Sequence, residues 1–488
     1  MLELTSAQAL DFPKPNYRFT ALIIASALFM EQLDSTVLAT ALPTMARYFD
    51  VSPSHMSIAL TSYLLSLAVL IPASGSVADR FGARTVFSAA IVVFTSSSIL
   101  CAQAHSLPML VLARLLQGAG GAMMIPVGRL VLLRSVDRAD LISAMSWFLV
   151  PGMIGPLLGP PIGGMIVTYL DWRWIFYINV PIGILGVILT CAFIENTRAS
   201  ARPPFDLPGF VLSGICLACL LFGFETTSRG VGQTSVALAL IGAGLVSGAA
   251  YVVYAARARR TTPILDLSLM RIRTFRVSLI AGSLSRITQG AQPFLLPLMM
   301  QLAFGMSAAQ SGLLTFATVC GSLTMKAFAA PLLRRFGFRN VLIWNGILSS
   351  SLSAVCAAFR QDWPHWALFA VLAICGFSMS LQFTAYNTVA YDDVPSDRTA
   401  AANSFYTTFQ QLMLSFGICT GALALTISKT FAGHLHASVG DFSTAFLIVT
   451  AISLLAAPVC LGYPRNAGAE MSGHRRKGGD EIEMESAT

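Results

Sequence analysis

Fourteen stretches of this chain are long and apolar enough to cross a bilayer, and nothing else in the sequence restricts the fold so strongly. A spanning helix needs about 20 mostly apolar residues. Such runs lie near 19–43, 55–77, 85–104, 107–128, 141–168, 174–194, 208–227, 234–255, 277–303, 308–331, 340–358, 364–388, 401–428 and 441–463. Only 11% of residues are charged, against roughly 25% in soluble domains. The runs are continuous and dotted with Gly and Pro, which spanning helices tolerate, whereas a membrane barrel needs alternating segments of about ten residues. The expectation is an all-α polytopic membrane protein. The first run is full length with no cleavage site after it, so it reads as span one and not as a removable signal.

The net charge of +8 raises the question of nucleic acid, and the positions of the basic residues answer it. Placing the N-terminus inside puts 23 of the 31 Lys and Arg in loops on the cytoplasmic side and five outside, leaving Arg114, Arg286 and Lys326 within spans. That asymmetry is the positive-inside pattern. The basic character therefore reports topology, with both termini cytoplasmic, and nucleic acid is not an expected partner. All nine cysteines fall inside apolar runs, with Cys216 and Cys219 the one close pair, and the six histidines have no ligand spacing. No disulfide framework, metal site or cofactor is expected. Neither a nucleotide loop nor a nucleophile-base pair occurs, and the loops are too short for a catalytic domain, so the chain is not read as an enzyme.

Two loops repeat a pattern. Arg80-Phe81-Gly82-Ala83-Arg84 follows span two and Arg335-Phe336-Gly337-Phe338-Arg339 follows span ten. Weak internal repeats of this kind mark transporters built of two related bundles, with the substrate site between them near mid-membrane. The spans then divide as six, two and six. The expected organisation is a cytoplasmic N-terminus over 1–18, a first bundle over 19–194 and a linker over 195–276 holding two inserted, peripheral helices at 208–227 and 234–255. A second bundle follows over 277–463, and a disordered tail over 464–488, whose composition buries too little apolar surface to fold.

Several residues stand out on physical grounds. Asp34 lies within span one and Arg114 within span four, and charges inside spans are costly and usually functional. Counted at 1.5 Å per residue, they sit about 14 and 10 Å from the outer ends of their spans, close enough in depth to pair. Glu31 is one turn below Asp34 on nearly the same face. It is a second proton site, a site for cationic substrate, or a structural hydrogen-bonding group. Arg286 in span nine, near Gln289 and Gln292, meets an anionic substrate, pairs with a distant carboxylate or stands alone hydrated by the cavity, while Lys326 is near enough to a span end to snorkel. Gln117, Gln382, Tyr386, Asn387, Asn403, Gln410, Gln411 and, more weakly, Trp147 line the cavity or serve packing. In the loop from Gly75 to Arg84, Gly75 and Gly82 permit close approach and a tight turn. Asp79 there meets a helix N-terminus or a basic partner on the neighbouring bundle. In span five Gly155, Gly159 and Gly163 recur every four residues beside Gly164, with Pro156, Pro160 and Pro161 as bend points.

The segment Gly75-Ser76-Val77-Ala78-Asp79-Arg80-Phe81-Gly82-Ala83-Arg84 resembles the loop signature of the major facilitator superfamily. Gly155-Pro156-Leu157-Leu158-Gly159-Pro160-Pro161-Ile162-Gly163-Gly164 resembles its antiporter motif. Leu33-Asp34-Ser35-Thr36-Val37-Leu38-Ala39-Thr40-Ala41-Leu42-Pro43 and Leu112-Ala113-Arg114-Leu115-Leu116-Gln117-Gly118 are similar to internal motifs of the fourteen-span drug:proton antiporters of EmrB/QacA type. So are Gly120 to Leu130, Asp171 to Pro181 and Phe205 to Phe210, and within that group the chain resembles MdtD-type bacterial members. The resemblance implies a monomeric exporter of small molecules in a bacterial inner membrane. Asp34 with Arg114 would couple protons to substrate, while an acid at Glu31 departs from the family pattern and any coupling role for it follows from its position beside Asp34; Gly75, Asp79, Arg80, Gly82 and Arg84 would latch one access state. Substrates would be drugs or organic metabolites, anions included. A proton-coupled uptake carrier and a non-transporting sensor are the alternative readings.

Overall fold

The structure is a computed structural model that describes residues 17–136, 140–196, 205–227, 234–257, 263–395, 398–434 and 436–472. Residues 1–16, the loop arginines Arg138, Arg198, Arg202, Arg229, Arg259 and Arg260, and the tail expected to be disordered from 473 onward lie outside the described residues.

Among the described residues every regular element is helical. Fourteen long helices follow one another: α1 Tyr17–Tyr48, α2 His55–Phe81, α3 Ala83–Ala102, α4 Leu107–Ser135, α5 Leu141–Tyr169, α6 Trp174–Phe193 and α7 Leu207–Thr227. Then come α8 Thr234–Arg257, α9 Arg273–Leu298, α10 Ala308–Phe336, α11 Phe338–Cys356, α12 His365–Val389, α13 Thr399–Phe431 and α14 Val439–Cys460. Eleven are long and apolar enough to cross a membrane. The remaining three pack among them: α5 along α1, α9 along α13 and α11 along α12. Large apolar side chains such as Leu112, Val246 and Trp366 are exposed on the outside, as a protein solvated by lipid requires. Polar caps meet the unpaired amides at helix starts: Ser307 and Gln310 cap α10 reciprocally, and Ser438 and Asp441 do the same for α14.

The repeated loop pattern has a repeated structure. Gly82 and Gly337 both adopt positive φ, +98° and +73°, conformations a side chain resists. The arginine two residues later reaches the end of the last helix of its own half. Arg84 Nη1 donates to Ile194 O at 3.1 Å, and Arg339 Nη2 to Leu461 O at 3.4 Å. Residues 464–472 do not behave as the disordered tail expected of them. Ala467 is buried, Gly468 N donates to the Asp392 carboxylate at 2.6 Å, and Ala469–Ser472 forms a helical turn.

The arrangement of cores positions the site. At the end away from the termini one apolar core is shared by both halves: Leu42, Met45 and Met56 pack with Phe294, Leu298 and Phe442. At the termini end each half has its own core, one around Ile24, Phe87 and Val131, the other around Val277, Phe338 and Tyr463. The halves are thus sealed together at the far end and part towards the termini. Hydrogen bonds across the seal run from Gln301 Nε2 to Thr40 O at 3.0 Å and from Ala309 N to Thr168 Oγ1 at 2.9 Å.

The inserted helix α7 lies over the seam between α2 and α13, with α8 packed outside it. Leu217 and Leu221 interleave there with Leu65, Ala68 and Leu412. Glu225, fully buried near the end of α7, accepts from Ser57 Oγ at 2.9 Å in the first half and from Cys419 Sγ at 3.3 Å in the second. Removing the partner of a buried hydrogen-bonding group costs about 1–3 kcal/mol. Ser57→Ala is therefore expected to lower stability by about 2 kcal/mol in thermal unfolding of the purified protein. A variant as stable as wild type would show that Glu225 does not depend on this contact.

Candidate functional site

Between the two halves lies a cavity of about 530 Å³, within the range of drug-sized sites. From the first half α1 contributes Glu31, Gln32, Thr36 and Thr40, α2 contributes Leu60, Tyr63 and Leu64, and α4 contributes Arg114. From the second half come Gln289 and Gln292 of α9, Ser322 of α10, Met379 and Phe383 of α12, and Gln410 and Gln411 of α13.

Asp34 and Arg114, placed at similar depth by residue counting, form an ion pair with Arg114 Nη1 2.6 Å from Asp34 Oδ2. Asp34 Oδ1 also accepts from Gln117 Nε2 at 2.8 Å and Asn179 Nδ2 at 3.0 Å. Arg114 donates further to Gln117 Oε1 at 2.6 Å and Ala59 O at 3.0 Å, and its guanidinium lies 4.4 Å from the Tyr63 ring centroid. Ser98 Oγ receives both Gln117 and Asn179. Five helices, α1, α2, α3, α4 and α6, thus supply one network, which is how a buried ion pair offsets its desolvation. Asp34 and Gln117 are sealed inside it and do not line the cavity, which corrects the expectation for Gln117 as a wall residue. Arg114 stands between the cavity and Asp34, and its Nη2 has no hydrogen-bonding partner among the described residues.

Glu31 lines the cavity one turn from Asp34. Its Oε2 is buried and finds no hydrogen-bonding partner among the described residues, a costly state for a carboxylate. A proton or a cationic group on the cavity side relieves that cost.

The second half differs. Gln289 and Gln410 line the cavity as expected, whereas Arg286 is buried one layer behind it, donating to Tyr406 Oη at 3.3 Å and Gln410 Oε1 at 3.2 Å. Three other expected wall residues are elsewhere. Tyr386 is buried in the second half's own core with its hydroxyl 3.1 Å from Cys460 Sγ, and Asn387 Nδ2 turns back to Phe383 O within its own helix. Trp147 is exposed on α5, stacked 5.9 Å from the Arg18 guanidinium. Lys326 Nζ reaches Thr384 Oγ1 at 3.4 Å.

The loop motif departs from expectation in two places. Asp79 pairs with Arg134 of its own half at 2.7 Å, not with the neighbouring bundle. A Cβ at Gly75 would meet nothing within 4 Å, so that glycine makes no close approach, whereas one at Gly82 would lie 2.3 Å from Asn196 Oδ1. Arg80 is exposed. The span-five glycines do pack tightly: a Cβ at Gly155 would collide with Gln32, at Gly159 with Thr36, at Gly163 with Thr40, and at Gly164 with Ala308 O of α10. Pro160 O lies 2.2 Å from where a Cβ of Gly312 would be. Among the described residues no three His, Cys, Asp or Glu side chains converge on a metal position.

Asn179, Ser98 and Glu225 were not singled out from the sequence. A carboxylate in span seven was the available signal for Glu225; Asn179 stood inside a quoted motif, and Ser98 gives no sign.

Two helical halves closing one end of a central cavity define a multi-pass membrane transporter. The chain belongs to the Major Facilitator Superfamily, whose sequence profile matches residues 24–208 and 278–480 and skips the stretch holding most of α7 and α8. It is 38% identical over 476 residues to a protein of Klebsiella pneumoniae (strain 342) provisionally named multidrug resistance protein MdtD, covering 96% of this chain and 98% of that one. It is 37% identical over 474 residues to the Salmonella typhi protein of the same name, covering 96% and 99%. Solved structures with the same fold include a D-xylose-proton symporter, at a TM-score of 0.64 and 14% identity over 93% of this chain and 99% of that one. A bacterial homologue of the human lysosomal transporter Spinster, crystallised inward-facing and unoccupied, matches at 0.64 and 13% over 92% and 98%. The chain is thus a transporter of small molecules and not an enzyme.

Proposed function

We propose that this transporter exports small molecules in exchange for protons, acting as a monomer in a bacterial inner membrane with both termini in the cytoplasm. The observation that carries the reading is the unsatisfied carboxylate of Glu31 in the cavity wall, one turn from the Asp34–Arg114 pair. The excess of basic loop residues on the termini side supports the orientation, which makes the arrangement described here open to the cytoplasm. The relatives named for multidrug resistance support export.

The sequence motifs point to Asp34, with Glu31 beside it, as the proton-loading group. Its seal behind Arg114 favours Glu31 as the group that meets proton and substrate, with Asp34 holding Arg114 beside it. Occupation of Glu31 by a proton and by substrate exclude one another, and exclusion at one site is what exchange requires. A proton taken up from outside displaces substrate outward, the halves rock, and discharge to the cytoplasm readies the site for the next load.

The test is substrate-driven collapse of a pH gradient in proteoliposomes, followed with a pH-sensitive dye. Glu31→Gln and Asp34→Asn are each expected to abolish proton movement. Glu31→Gln is also expected to keep the protein folded by size-exclusion profile. Undiminished proton-driven efflux in Glu31→Gln would refute the assignment. Accumulation of substrate down an inward proton gradient would replace export by uptake.

A further inference from the structure

The two walls of the cavity carry different groups, and on the first-half wall Arg114, already paired with Asp34, stands beside Glu31. On the α1 side Glu31, when ionised, presents only acceptors, and its buried Oε2 has no hydrogen-bonding partner among the described residues. On the α13 side stands Gln410, and Arg286 fixes which way it points. Arg286 is 2% exposed, its guanidinium 5.0 Å from the Tyr406 ring centroid and 5.7 Å from that of Phe383, with Nη2 donating to Gln410 Oε1 at 3.2 Å. A guanidinium has only donors, so the atom of Gln410 that faces it is necessarily the oxygen. The amide nitrogen, with two protons, is left for the cavity that Gln410 lines. None of the ion pairs among the described residues involves Arg286. Its uncompensated charge adds to the amide dipole and makes this wall electropositive. The rest of the lining mixes apolar side chains such as Leu64, Met379 and Phe383 with polar ones such as Gln289 and Gln411.

We propose that the transported molecule is two-ended, a zwitterion with a protonated amine for Glu31, a carboxylate for Gln410 backed by Arg286, and an apolar body between them. A cation alone leaves the Gln410 donors without an acceptor, and an anion alone leaves Glu31 unanswered. A zwitterion meets both and brings no net charge into the low-dielectric cavity, where an unbalanced charge is expensive. The ends belong to different halves, Glu31 to α1 and Gln410 to α13, so a two-ended ligand joins them across the cavity, and differential contact of this kind shifts a conformational equilibrium. The inference rests on the exchange reading only in that the amine and the transported proton share Glu31.

The test measures binding without any gradient, by isothermal calorimetry on the purified protein in lipid nanodiscs. The probes share one scaffold: aminomethylbiphenyl carboxylic acid, aminomethylbiphenyl and biphenyl carboxylic acid, with the corresponding single-ring set. Each charged hydrogen-bonded end is worth about tenfold in affinity, so the zwitterion of at least one set is expected to bind about tenfold more tightly than either one-ended analogue. Glu31→Gln should erase its advantage over the carboxylic acid, and Gln410→Leu its advantage over the amine. Arg286→Met should act as Gln410→Leu does, though Arg286 does not line the cavity. Equal binding of amine and zwitterion by the wild type, a preference that survives both cavity variants, or no binding by any probe overturns the proposal. Zwitterion preference without proton movement in the dye assay would instead sink the exchange reading and leave this one standing.

Discussion

Arg114→Met is expected to lower the stability of the purified protein by about 3–5 kcal/mol, the cost of leaving a buried charge without its partner. Arg114 is wholly buried and the Asp34 side chain 2% exposed, so water does not replace the lost contacts. The variant also strands Gln117 Oε1 and Ala59 O, both of which accept from Arg114. Asp34→Asn introduced alongside is expected to recover most of the loss. The neutral amide carries no charge, and its oxygen still accepts from Gln117 and Asn179 in place of Asp34 Oδ1. The double variant would be folded and inert in proton exchange, which separates the contribution of the pair to stability from its contribution to function. Thermal unfolding of the two single variants and the double in detergent measures the coupling. If the losses simply add, the two charges do not interact as the geometry requires.

The sequence shows why the pair was legible and its surroundings were not. Asp34 and Arg114 announce themselves because charges in apolar runs are rare and their depth follows from counting along a helix. The same rule applied to Glu225, the acid of span seven, but no counting argument reveals that Ser57 and Cys419 sit beside it, one from each half. Ser98 and Asn179 join the network through the packing of α3 and α6 against α1 and α4, which depends on tertiary geometry and leaves no mark in composition. The same limit explains the misplaced wall residues. Tyr386 and Gln410 look alike as polar residues in spans, and only helix rotation decides that Tyr386 turns into its own half's core and Gln410 into the cavity. Asp79 was readable as an acid in need of a partner, while the identity of that partner, Arg134 of the same half, depended on α4 continuing past the apolar run to Ser135. The glycines of span five were readable as contact points, and what they touch was not.

Those contacts lead to the largest expected effect on transport. The seal at the far end depends on α5 and α10 approaching so closely that backbone meets backbone: a Cβ on Gly164 would fall 2.4 Å from Ala308 O, and one on Gly312 2.2 Å from Pro160 O. Real side chains do not fit such gaps, and a packed interface yields by rigid displacement because it has no free volume to absorb an atom. Gly164→Leu or Gly312→Leu should therefore hold the two helices apart. Since Ala309 N and Thr168 Oγ1 pair in the same contact, that bond is lost with them. By contrast, Gly155, Gly159 and Gly163 face α1 within the first half. Leucine at those positions should damage the bundle itself and lower stability, not shift the balance between access states. In the two seal variants, transport is expected to fall at least about tenfold, since a shift of only 1.4 kcal/mol in the access equilibrium depopulates one state by that factor. Accessibility distinguishes this from misfolding. With the native cysteines removed, a cysteine at position 301, whose glutamine now bonds to Thr40 O across the seal, should react slowly with a membrane-impermeant maleimide in the parent. It should react rapidly in Gly164→Leu and Gly312→Leu. Unchanged labelling together with wild-type transport would show that the seam between α5 and α10 is not the contact that closes the far end.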